Sequence, residues 1–265
     1  MHFMTSGMPA RHKRRKATRR FAVFVVMAAV LIAGLLLFTR VSALSEKTVH
    51  TGGTQAYAQA QPSGKTATAG DADPRFLALV NWDHPSGGGR PEDLVPMDEV
   101  FSGEVYFEGG SINRTAGQAA RQMFLAAQEE GIGPYKITTA YRSREYQEQL
   151  WEQRVSEDPA YGQNPYAEPV RVLPGNASEH TTGLAMDVLS PGHDEADSSF
   201  GETPEGRWLA ENAWKYGFIL RYPEGKEPVT GVIYEPWHFR YVGRQAAKEI
   251  YEGGLCLEEY VGGTA

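Results

Sequence analysis

The chain has 265 residues and a formal net charge of -7 at pH 7, and that charge is divided unevenly. Residues 1–40 hold eight Lys or Arg and no acid, which leaves 18 basic side chains against 33 acidic ones in the remainder. An acidic remainder argues against a nucleic-acid ligand, and the single cysteine, Cys256, excludes an intramolecular disulfide and a cysteine-based metal site.

Residues 11–20 carry seven Lys or Arg, and residues 21–38 (FAVFVVMAAVLIAGLLLF) carry no charge at all. An apolar run of that length crosses most of a bilayer as a helix. Its basic flank predicts a cytoplasmic N-terminus and an exported C-terminal part. We therefore expect a basic cytoplasmic tail over 1–20 and a single transmembrane anchor over 21–38. Val41-Ser42-Ala43 resembles a signal-peptide cleavage site, so a cleaved signal is the rival reading. The apolar run exceeds a usual signal core, which favours the uncleaved anchor and a bacterial cell-membrane protein whose folded part is extracytoplasmic. Residues 39–73 are rich in Gly, Ala, Thr, Gln and Ser, too poor in large apolar side chains to order themselves, and read as a flexible linker.

A single folded domain is expected over 74–265. Residues 115–130 place Ala116, Ala119, Ala120, Met123, Phe124 and Ala127 at helical spacing, and Gly131 stops the helix. Residues 136–141 (KITTAY) read as a strand. Ser143 then caps a helix with Tyr146, Leu150 and Trp151 on one face. Residues 164–178 are loop, 184–189 strand, 205–216 helix, and 218–222 and 232–242 further strands. A closing helix runs over 244–251 and stops at Gly253-Gly254. Helices come early and strands late without a βαβ rhythm, which predicts an α+β domain with an antiparallel sheet flanked by helices.

Two segments carry chemistry. The first is SEHTTGLAMD, residues 178–187, and the second is EPWHFRY, residues 235–241. Together they offer two imidazoles and three carboxylates, and a catalytic zinc needs three such ligands with one position left open. Asp187 lies in an otherwise apolar strand, where a lone acid is costly unless paired or metal-bound. A regular strand would send Glu235 and His238 to opposite faces, but Pro236 breaks the regularity and lets both face one pocket. His238 could then complete a metal shell while Glu235 serves as general base. The plainer alternatives are a satisfied loop histidine at His180 and core-lining aromatics around His238. His193, His84 and His50 read as solvated loop residues, and Cys256 as a half-buried small apolar side chain.

SEHTTGLAMDV and YEPWHFRYVG, with the upstream YRSREYQ at 141–147, resemble the VanY-type D-alanyl-D-alanine and L,D-carboxypeptidases. That family is related to the VanX dipeptidases and distantly to the hedgehog signalling domain. The resemblance covers residues 113–251. It implies a zinc held by His180, Asp187 and His238, with Glu235 as catalytic base. It also implies substrate contacts from Arg142, Gln147 and Ser178, with Arg142 at the terminal carboxylate or the developing oxyanion. The implied activity is removal of a terminal D-amino acid from peptidoglycan stem peptides, with D,D and L,D cleavage both open. A surface ion pair with Glu145 or Glu148 is the plainer reading of Arg142. The alternative for the whole domain is a zinc-stabilised wall-binding or signalling module without turnover, which would have no need of Glu235.

Overall fold

Residues just upstream of the expected first helix pair into a small ribbon, β1 (Leu94–Pro96) against β2 (Ser111–Asn113), antiparallel. Helix α1 (Arg114–Glu129) follows at once, and the Asn113 side chain accepts from the N–H groups of Thr115 and Ala116 at 3.0 and 3.2 Å. Those donors have no partner inside the helix, so the cap fixes where it begins. Gly131, at φ +76°, turns the chain out of the helix. The structure is a computed structural model that describes residues 73–87 and 91–262, all within the unit Ala67–Ala265. Among the described residues no helix is long and apolar enough to cross a membrane. The apolar run 21–38, the linker up to residue 72 and His50 lie outside them.

The main sheet contains β3 (Lys136–Thr139), β4 (Ala185–Leu189), β5 (Phe218–Leu220) and β6 (His238–Tyr241). Its order is β3-β4-β6-β5 and every pair is antiparallel. Alternation gives the sheet two unlike faces. Met186, Val188, Phe239 and Tyr241 join a core with Ala116, Ala120, Met123, Phe124 and Ala127 of α1. The other face carries Asp187 and His238, which are direct cross-strand partners, and Arg240 opposite Ala185. The remaining helices are α2 (Arg144–Glu157), α3 (Pro204–Asn212), α4 (Glu227–Thr230), α5 (Arg244–Gly253) and α6 (Leu257–Tyr260). The result is the expected α+β arrangement, with helices flanking an antiparallel sheet.

Several boundaries differ from expectation, each for a local reason. The helix expected over 205–216 ends at Asn212 and tightens into a 3-10 turn, Ala213–Tyr216, which Gly217 terminates at φ +88°. The strand expected over 232–242 is only β6. Residues 235–238 form a turn instead, with the His238 N–H donating to the Glu235 carbonyl at 3.1 Å and Pro236 at its second position. Ser143 does cap α2, accepting from the Tyr146 N–H at 3.2 Å. The expected apolar face of α2 is not a core face, because Tyr146 is 54% exposed and Gln147 is the residue turned inward. Trp151 packs edge-to-face on Trp82 at 5.4 Å rather than into the main core. Cys256 is fully buried rather than half-buried, a free thiol at the start of α6.

The segment from residue 74 to 112, which carries no family motif, is built into the domain. Its 3-10 turn, Pro74–Leu77, sets Phe76 edge-to-face on Tyr241 with ring centroids 5.1 Å apart. The Phe76 and Ala78 carbonyls accept from Arg240 at 3.1 and 3.0 Å. Residues ahead of the motifs thus brace the strand that bears His238.

Gly183 joins the His180 turn to β4 at φ +70°, and a Cβ there would lie 2.4 Å from Leu94 Cδ2. Gly183→Ala is expected to cost about 2–4 kcal/mol, from left-handed strain plus overpacking. Urea denaturation measures it, and wild-type stability in this variant would contradict the close approach of β1.

Candidate metal centre

His180 sits in a 3-10 turn, Glu179–Thr182, that Gly183 ends. Its Nδ1 lies 2.8 Å from the Ala140 carbonyl just beyond β3, and its Nε2 lies 3.2 Å from Asp187 Oδ2. A carbonyl only accepts, so Nδ1 carries the proton and Nε2 keeps a lone pair directed at Asp187. His238 uses the opposite nitrogen, with Nδ1 3.1 Å from Asp187 Oδ1. The two rings meet edge-to-face at 4.8 Å. One donor atom from each of His180, Asp187 and His238 falls within 4.8 Å of the others.

This set fits a dication. Asp187 Oδ1 is buried without an aligned hydrogen bond among the described residues. Burial opposes ionisation of Asp187, but positive charge at His180 and His238, the place that a bound cation takes, holds the carboxyl well below the usual carboxylate range. Two imidazole lone pairs and one carboxylate match the nitrogen and oxygen preference of a catalytic zinc and leave a fourth position free.

The other expected residues surround this group. Glu235 is buried, with Oε2 3.6 Å from His238 Nδ1, and it stands outside the three-residue donor set. Burial pushes its carboxyl up to about 8, toward the range in which a carboxyl group exchanges protons near neutral pH. Arg142 Nη2 lies 4.0 Å from Asp187 Oδ2, and its backbone N–H donates to the His180 carbonyl at 3.1 Å. Its guanidinium also donates to Gln147 Oε1. Arg142 therefore faces the metal group and not Glu145 or Glu148. Glu148 accepts instead from the Gly175 N–H at 2.7 Å. Gln147 is buried and spans Arg142 and the Leu173 carbonyl, to which it donates at 2.6 Å. In this state both ends of its amide serve the protein and hold Arg142 in place. Ser178 is buried just ahead of the His180 turn, and its hydroxyl does not cap that turn. His193, expected in solvent, packs on Phe200 and lies 3.6 Å from Asp197. His84 is exposed, as expected, and its ring lies 3.0 Å from Asn81 Oδ1.

The comparisons with known proteins meet this geometry. Residues 110–244 match the family VanY, D-alanyl-D-alanine carboxypeptidase. The chain is 32% identical to a D-alanyl-D-alanine carboxypeptidase of Enterococcus faecalis, over 95% of this chain and 93% of that protein. The chain belongs to the VanY family. It is also 44% identical to the putative carboxypeptidase YodJ of Bacillus subtilis, over 70% of this chain and 66% of that protein. A solved LdcB LD-carboxypeptidase aligns at TM-score 0.63 and 38% identity, covering 72% of this chain and 88% of that one. A VanYB structure in complex with D-alanine-D-alanine aligns at TM-score 0.57 and 35% identity, covering 71% and 97%. A mutant VanY D,D-pentapeptidase in complex with Zn(II) aligns at TM-score 0.56 and 34% identity, covering 71% and 99%.

Behind His238 this VanY-family chain carries a charge network that the motifs did not reveal. Glu179 is fully buried, and its Oε1 accepts from Arg221 Nε at 2.7 Å. Arg240 Nη1 lies 2.8 Å from the same oxygen, an ionic contact without hydrogen-bond alignment. Arg221 also grips Glu258 of α6 through two hydrogen bonds of 2.8 and 2.6 Å, and Asn81 donates to Glu258 at 3.1 Å. The other oxygen of Glu179, Oε2, stands 3.8 Å from His238 Nε2, and neither atom has a hydrogen-bond partner among the described residues. A carboxylate at that nitrogen holds the proton on Nε2 and leaves Nδ1 for the metal. The available signal was the presence of Arg221 and Arg240 in otherwise apolar strand segments, where each requires a buried counter-charge.

Burial opposes ionisation of Glu179, yet Arg221 and Arg240 hold its carboxyl well below the usual range. Burial likewise opposes Glu258, and Arg221 lowers it. A depressed native pKa gives stability that is present above the unfolded value, about 4.3 for Glu, and lost as pH falls below it. The contribution of Glu179 and Glu258 should therefore be constant near neutrality and be lost below about pH 4, seen as a steep acid limb in the denaturant midpoints. Glu179→Gln should lower stability at neutral pH by about 3–5 kcal/mol, since it leaves buried guanidiniums uncompensated, and should flatten the acid limb. An unchanged acid limb would show that this carboxylate is not the linked group.

Proposed function

We propose that this chain is a zinc carboxypeptidase that removes the terminal D-alanine from peptidoglycan stem peptides. The observation that carries this reading is the pairing of a three-ligand group with a fourth, buried carboxylate. His180, Asp187 and His238 complete a metal set, and Glu235 lies 3.6 Å from it with no ion pair to an Arg or Lys among the described residues. A zinc that only stabilised a wall-binding module would have no use for that acid.

When bound, the zinc supplies Lewis acidity, polarising the scissile carbonyl and lowering the pKa of water. The protein's own groups do the rest. Glu235 accepts the proton of the attacking water and passes it to the departing amine of the terminal residue. Arg142, tied through Gln147 to the Leu173 carbonyl, presents a guanidinium beside the metal group, where it binds the substrate's terminal carboxylate or the oxygen that gains charge. Ser178 lies at the same turn and completes the substrate contacts. The D-alanine-D-alanine bound in the related VanYB structure and the peptidoglycan recognition described for LdcB support this substrate class.

The location follows from the sequence alone. The uncharged run 21–38 behind seven basic residues supports a single-pass anchor in the bacterial membrane, a linker over 39–73 and an extracytoplasmic catalytic domain over 74–265. Fractionation with membranes, and shedding of the domain by protease added outside wall-free cells, are the expected results. A soluble mature form starting near Leu44 would instead mark a cleaved signal.

Incubation of the zinc-loaded protein with tetra- and pentapeptide stems should release D-alanine, identified by mass. Glu235→Gln should keep its zinc and lose turnover by a factor of about 10²–10⁴. His238→Ala should lose both zinc and turnover. Undiminished turnover in Glu235→Gln, or full activity after exhaustive chelation, would refute the mechanism.

A further inference from the structure

Arg171 lies in the loop between α2 and the His180 turn, and its backbone is pinned on both sides. The Tyr161 hydroxyl accepts from the N–H groups of Arg171 and Val172 at 2.9 and 2.8 Å. Val170 bridges to the segment ahead of Glu235, donating to the Gly231 carbonyl at 3.1 Å and accepting from the Ile233 N–H at 3.0 Å. The side chain then crosses Trp237, with the guanidinium carbon 5.1 Å from the ring centroid. Trp237 is buried between Glu235 and His238 in the turn that forms the site.

Unlike the other arginines at the centre, this one is exposed and has no carboxylate in ion-pairing range among the described residues. Arg221 and Arg240 are sealed against Glu179, and Arg142 is engaged by Gln147 and Asp187. The charge of Arg171 nevertheless reaches Glu235, where it favours the ionised form no less than that of Arg142. A planar cation held over an aromatic face, close to the catalytic carboxylate and open to solvent, is a ready clamp for an anion.

We infer that Arg171 is a specificity-determining residue that binds a second carboxylate of the substrate, on a residue other than the one cleaved off. The inference rests on the carboxypeptidase reading and names its substrate class more narrowly. The preferred peptide has a free acid close upstream of the scissile bond, and its amidated counterpart is a poorer ligand. Trp237 limits the positions the guanidinium can adopt, so little ordering is required when the acid arrives.

The test uses two stem peptides that differ only in whether that upstream acid is free or amidated. Wild-type zinc enzyme should favour the free acid in kcat/KM by a factor of about 10, and Arg171→Met should bring the ratio close to one. The same ratio is read by calorimetric binding to the zinc-loaded Glu235→Gln protein, with and without Arg171→Met, so it can be measured even if neither peptide is hydrolysed. Absence of turnover on both peptides would defeat the carboxypeptidase reading, while the binding ratio would still decide the role of Arg171. Equal treatment of the two peptides by wild type would overturn the inference. So would an Arg171→Met variant that weakens both peptides alike, since the guanidinium would then act on the terminal carboxylate or through Glu235. Thermal denaturation of the variant should match wild type, and a large loss would make Arg171 a structural residue instead.

Discussion

Charge withheld from water governs this domain. Glu179, Asp187, Glu235, Arg221 and Arg240 are linked by contacts around His238 of one small sheet, and most of them are almost completely buried. Each would be expensive alone. Most are tolerated because they face a partner across a fixed distance, Glu179 between two guanidiniums and Asp187 between two imidazoles, while Glu235 has no such counter-charge and burial raises its carboxyl. The sheet supplies that fixity. Register alone sets Asp187 opposite His238, and a slip of one residue would send one of them into the apolar core on the other face.

The two layers of this arrangement serve different ends. The outer layer, His180, Asp187 and His238, gathers lone pairs for a cation. The inner layer, Glu179 with Arg221, Arg240 and Glu258, fixes which nitrogen of His238 is free and ties the choice to distant parts of the chain. Through Asn81 and Glu258 it reaches the entry to the domain and its last helix. Through Arg240 it reaches the Phe76 and Ala78 carbonyls. The segment ahead of the motifs and the C-terminal helix thereby become part of the site's support, though neither touches the metal group. Such support is what keeps ligands within the narrow geometry that catalysis requires.

Much of the site was legible in sequence because its residues break the pattern around them. Asp187 interrupts an apolar strand, and Pro236 interrupts a β-rich run, so each advertises a special role. The end of α1 was equally clear, since Gly131 is a strong stop signal, whereas its Asn113 cap came to light only in the structure. Glu179 was hidden by its setting, because in a polar stretch such as SEHTT one more acid looks solvated. The α2 face was misread because its partners are a polar loop and a guanidinium, which reward Gln147 rather than Tyr146. The turn at 235–238 was anticipated only as a kink, because local sequence shows that Pro236 ends a ladder without showing the hydrogen bond that closes the turn. Arg171 carried no sequence signal at all, as its importance lies in a tryptophan reached only through the fold.

The claim on which the account depends is that one metal ion sits among His180 Nε2, His238 Nδ1 and an Asp187 oxygen. The most direct measurement is an anomalous difference map, collected at the zinc edge, from crystals of the zinc-loaded protein. The account predicts a single strong peak within about 2.0–2.2 Å of those three atoms, with Glu235 beside it and outside the shell. A peak bound through His238 Nε2, or one that recruits Glu235 in place of Asp187, would contradict it.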